Sequence, residues 1–72
     1  METTYEIGDR VEVFLDANRV KSAGWYAGTV VRVDPYSEHR QFYWVEFDPD
    51  MLALLGIRSI SVFNQKHIRK VA

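Results

Sequence analysis

The 72-residue chain has no cysteine, which excludes both disulfide staples and thiolate metal sites. It also lacks an excess of either charge: nine Lys and Arg stand against ten Asp and Glu, for a formal charge of -1. A binder that relies on a strong positive field for nucleic acid is therefore not expected. No apolar run is long enough to span a membrane, and Met1-Glu2-Thr3-Thr4 offers no basic segment followed by an apolar one. Neither a membrane span nor a signal peptide is expected, and the reading is a soluble intracellular domain. Chemistry is equally sparse. None of Ser22, Ser37, Ser59 and Ser61 lies in a glycine-flanked nucleophile elbow, and no glycine loop is built to cradle phosphate. His39 and His67 fall in separate turn-like segments, without a carboxylate or second histidine at ligand spacing. No enzymatic activity, cofactor or metal is expected.

What the chain does have is aromatic surface, 14% of its residues, at a length where a single core barely suffices to hold a fold. The stretch Gly24-Trp25-Tyr26-Ala27-Gly28-Thr29-Val30-Val31-Arg32-Val33 organises the rest. It opens on a turn glycine and runs through β-branched residues to a stop at Asp34-Pro35, which reads as a long strand. Its apolar positions change parity. Tyr26, Gly28 and Val30 share one face while Val31 and Val33 fall on the other, which calls for a bulge or sharp bend near Thr29 to Val31. A strand that turns its buried face midway belongs to a small barrel.

Residues 1–4 read as a flexible lead and residues 5–72 as one domain. Arg10 to Leu15 alternates, with Val11, Val13 and Leu15 on one face, and predicts a first strand. Residues 16–24 and 34–40 are polar, turn-forming loops. In Gln41 to Phe47 the residues Tyr43, Val45 and Phe47 share one face, and Phe42, Trp44 and Glu46 the other. Asp48-Pro49-Asp50 stops that strand. Met51-Leu52-Ala53-Leu54-Leu55 favours helix, yet it is too short to stand alone and must lie against something. Ile57 to Phe63 resumes a strand, with Ile57 and Phe63 on one face and Ile60 and Val62 on the other; a helical turn and a last short strand through Ile68 and Val71 complete the chain. Five short strands joined by turns predict an all-β, antiparallel, SH3-like barrel with a helical turn near its C-terminal end.

Four pieces in order carry a family resemblance: Ile7-Gly8-Asp9-Arg10-Val11-Glu12-Val13-Phe14, Gly24-Trp25-Tyr26-Ala27-Gly28-Thr29-Val30, Tyr43-Trp44-Val45-Glu46-Phe47-Asp48 and His67-Ile68-Arg69. Over roughly Tyr5 to Val71 the chain resembles Tudor and Agenet domains of the Royal family. The resemblance implies a non-catalytic module that binds a protein or peptide, including a methylated lysine or arginine of a histone tail held in an aromatic cage, with chromatin and the nucleus as the setting in a eukaryote. Carried over by position, Tyr26 and Phe47 match cage aromatics, and Asp48 or Asp50 the assisting carboxylate. Leu15 stands where the family places an aromatic at the end of the first strand, with Phe14 beside it. Beyond Phe47, Asp50 and Met51 stand where another aromatic is common, so half a cage is present.

Each residue also has a plainer role open to it. Tyr26 and Phe47 suit a cap on one end of the core. Trp25 and Trp44 suit a cross-strand pair on the outside of the barrel, or a patch that meets a partner. Met51, Leu52 and Leu55 suit either a lid over an open barrel end or a homodimer interface through residues 51–55. Lys66, His67, Arg69 and Lys70 form the one basic cluster, which suits a solvated face more than a phosphate site. The alternatives to peptide binding are thus self-association within a larger complex and weak nucleic-acid binding through the basic C-terminal segment.

Overall fold

A computed structural model describes residues 4–18, 20–38 and 40–71. The expected lead lies outside these residues apart from Thr4, as does His39. Alternating burial along Arg10–Leu15 makes β1, with Val11, Val13 and Leu15 all buried. Strand β2, Gly24–Pro35, continues two residues past the expected stop. It can do so because the turn that follows is tight: Tyr36 and Ser37 both donate their N–H to the carbonyl of Arg40, so the ladder runs to the base of the hairpin. Strand β3 is Gln41–Phe47 and helix α1 is Pro49–Leu55. Strand β4, Ser59–Val62, is shorter than expected. The chain is still rounding its turn at Arg58, whose carbonyl accepts from the N–H of Phe47. A 3-10 turn, Gln65–His67, leads into β5, Ile68–Lys70.

Among the described residues the five strands form one antiparallel sheet in the order β4-β3-β2-β1-β5. The sheet is open, with β4 and β5 as its edges. Its spine is β2, which pairs with β1 through residues 24–29 and with β3 through residues 28–35. Between Val30, opposite Val45, and Arg32, opposite Trp44, the register slips by one residue. Val31 is the extra residue and is exposed, while Val33 returns to the core face opposite Tyr43. The parity change read in the sequence is therefore a β-bulge. Gly28 sits where β2 is paired on both sides. A Cβ there would lie 2.6 Å from the Glu46 carbonyl oxygen and 2.7 Å from a Val45 methyl, so only glycine permits the close approach of β3.

The core joins Val11, Val13, Leu15, Val30, Tyr43, Val45, Phe47, Val62 and Ile68 to Tyr5, whose ring meets Tyr43 edge-on at 5.2 Å. Burial and then the neighbouring Tyr43 push the Tyr5 phenol above its ordinary pKa, and its O–H donates to the carbonyl of Ile68 at 3.2 Å. Ile60 and Val62 share one face as expected, and the ladder sets them opposite Val45 and Tyr43 at the core. Ile57 also packs on the core, contrary to its strand parity, because it precedes β4 and is not bound by the pleat.

Trp25 and Trp44 do not pair. Trp25 lies opposite Phe14, whereas Trp44 lies opposite Arg32 and Ser61. The cause is register: β3 ends opposite Gly28, before β2 reaches back to Trp25. Each tryptophan finds its own partners. The guanidinium of Arg69 stacks over Trp25 at 4.0 Å from the ring centroid, and the indole N–H of Trp44 donates to Asp34 at 3.1 Å.

Candidate functional site

The register brings the residues expected to form a cage to one region. Phe47 opposes Gly28, and Tyr26 lies two residues beyond on the same face of β2. Asp48 follows, its N–H donating to the carbonyl of Ala27 at 3.3 Å. The side chains then diverge. Phe47 is 4% exposed and Leu15 1%, so both rest in the core. Phe14 faces the other side of β1, against Trp25 and His67, each at a centroid distance of 5.7 Å. Asp48 accepts a two-pronged bond from Arg10, both contacts at 2.7 Å. That hydrogen bond, opposed by partial burial and aided by the guanidinium charge, holds the carboxyl below its ordinary pKa of 3.8. Arg10 also donates to Thr29 at 2.8 Å, so this ion pair ties β1, β2 and the start of α1 together.

Helix α1 explains what remains open. Pro49 fills its first turn, where no N–H is needed. Gly56 ends it at φ 71, a left-handed value suited to glycine, and its N–H donates to Leu52 at 2.9 Å. Met51 and Leu55, one turn apart, pack against the core. Leu52 is 37% exposed and Leu54 72%, so the helix lays one edge on the sheet and leaves the other in solvent. Asp50 is exposed in its first turn.

Between α1 and the β1–β2 loop runs an open groove lined by Val20, Lys21, Ser22, Tyr26, Leu54 and Leu55. Tyr26 is half-buried and donates its O–H to the carbonyl of Ser22, which fixes the ring as one wall. Of the expected cage residues, Tyr26 is the one that lines this groove; the apolar walls are Val20, Leu54 and Leu55. Sequence reasoning missed Val20 and Lys21, since a loop without periodicity gives no sign of which side chain turns inward. The burial of Phe47 was signalled, because Phe47 shares parity with Tyr43 and Val45.

Elsewhere the basic C-terminal segment is divided. Arg69 pairs with Glu12 at 2.9 Å and Lys70 with Asp9 at 3.7 Å, while Lys66 lines a separate pocket. Among the described residues no three His, Asp or Glu gather as a metal site, and no helix is long and apolar enough to cross a membrane. No protein-family model matches the chain, and searches of curated proteins and of solved structures return no match.

Proposed function

We propose that the chain is a non-catalytic protein-interaction module, a Tudor-type SH3-like barrel that takes a peptide segment into the groove between Tyr26 and α1. A strand that bends at a bulge and pairs with β1 along its first half and β3 along its second supports the barrel. The observation that carries the binding reading is Leu54: a leucine 72% exposed, beside Leu55, Val20 and a tethered tyrosine, forms apolar surface in a concavity. The ligand is an extended segment with a large apolar side chain. A methylated lysine or arginine is the second reading, favoured by the Tyr26 ring, whose face gives a cation about 0.5–2 kcal/mol. Lys21 on the rim opposes it.

The test is a chemical-shift titration of the 15N-labelled protein. Its probes are histone-tail peptides with trimethyllysine or dimethylarginine, their unmodified counterparts, and a peptide presenting a leucine between glutamates. Shifts at Val20, Tyr26, Leu54 and Leu55 with the leucine peptide, lost in Leu54→Asp and Tyr26→Ala, support the groove. Shifts at the same residues with methylated peptides alone move the reading to a cage. A concentration-dependent dimer in light scattering, abolished by Leu54→Asp, assigns the groove to self-association. Peptide shifts confined to other residues overturn the proposal.

A further inference from the structure

Beyond the far end of β2 from Tyr26 lies a second feature that the peptide reading does not use. Phe42 of β3 and Phe63, just after β4, lie side by side with ring centroids 4.9 Å apart. They stand there because Tyr43 opposes Val62 in the ladder, which places their neighbours on the face away from the core. Tyr36, from the β2–β3 turn, meets both rings edge-on, at 5.3 Å from Phe42 and 4.8 Å from Phe63, and is 62% exposed. Arg40, from the same turn, sets its guanidinium 5.2 Å from the Phe63 ring centroid. The adjoining pocket is lined by Arg40, Gln41, Phe63, Asn64, Gln65 and Lys66.

This lining holds two cations, three side-chain amides and a ring, with no carboxylate among the described lining residues. Planar faces for stacking, cations for a backbone charge and amides for polar edges are together the requirements of one ligand class. We infer that this pocket and the Tyr36–Phe42–Phe63 cluster bind a short stretch of single-stranded nucleic acid, with a base on Tyr36 and phosphates at Arg40 and Lys66. An acidic peptide would satisfy the cations and the amides but bring no planar face to Tyr36, which is why it ranks second. With two phosphate contacts the interaction is weak, and its salt dependence is shallow: log K against log salt should have a slope of about -1.4.

The experiment is fluorescence anisotropy and 15N chemical-shift titration with a dT decamer, a U decamer and a decapeptide of Glu and Asp. Oligonucleotide shifts should cluster at Tyr36, residues 40–42 and residues 63–66. Tyr36→Ala should weaken binding at least about fivefold, the low end of one base stack, while Tyr36→Phe retains it. Arg40→Gln with Lys66→Gln should bring the salt slope toward zero. All three side chains are exposed, and a cooperative melt with a dispersed amide spectrum shows that each variant is folded. Binding of the acidic decapeptide as tight as either oligonucleotide, indifference to Tyr36→Ala, or no oligonucleotide shifts at these residues would overturn the inference. None of these outcomes bears on the groove beside α1.

Discussion

Gly28 shows how much one missing Cβ can specify. With Glu46 and Val45 atoms at 2.6 and 2.7 Å from the position a Cβ would take, Gly28→Ala must push β3 away from β2 or distort both. Overpacking of this kind costs about 1–3 kcal/mol, equivalent in a domain of this size to a melting midpoint roughly 5–20 °C lower. A calorimetric scan showing no change would mean that the two strands have slack the distances deny. Asp48 makes a different prediction. Its carboxyl titrates below 3.8 in the folded chain because of Arg10 and at the ordinary value once unfolded. The stability it lends is therefore complete above 3.8 and drains away as the pH falls through the lower folded value. Asp34, lowered first by its bond from Arg32, acts in the same direction. Chemical denaturation of Asp48→Asn should accordingly lose less stability than the wild type as the pH falls below 3.8. An equal loss in both would assign the acid sensitivity to other groups. The sequence marked Asp48 as a turn residue and a candidate ligand, but its pairing with a guanidinium 38 positions away is a tertiary fact that no local pattern carries.

At the scale of the element, legibility follows how far each rule reaches. Period-two alternation is local and strong, so β1 and β3 were readable to the residue, with every predicted inward side chain buried. The parity break in β2 revealed a bulge, yet only the partner strand could show that Val31 is the surplus residue. Parity names a face and says nothing of register, which is why it allows a Trp25–Trp44 pair as readily as two separate residues, and the partner strands set them apart. Helix α1 was legible as a short helix needing support, and its two edges now separate two roles. Leu55→Asp puts a charge on the edge packed against the core and should lower stability by about 2 kcal/mol or more, read as a drop in denaturation midpoint. Leu54→Asp alters the solvent edge and should leave stability within about 0.5 kcal/mol. A Leu54 variant as unstable as the Leu55 one would mean that the helix packs through its other side.

For the whole molecule, the sheet joins very unequal stretches of chain. Strands β2 and β3 meet through a short turn, whereas β5 reaches back to β1 across most of the sequence: Arg69 meets Glu12 over 57 positions and Tyr5 meets Ile68 over 63. Closing such a loop costs entropy that only already-formed partners can offset, so the hairpin should assemble first and β5 dock last. Val45 and Ile68, both buried, test this in stopped-flow kinetics. Val45→Ala should mainly slow refolding, and Ile68→Val, costing about 0.5–1.5 kcal/mol, should leave refolding unchanged while unfolding quickens roughly 2- to 12-fold. A slower refolding limb for Ile68→Val would place β5 in the nucleus instead. In the expected order, the lifetime of the native state is governed at β5, and a ligand that pinned that short edge strand would prolong it without hastening its formation.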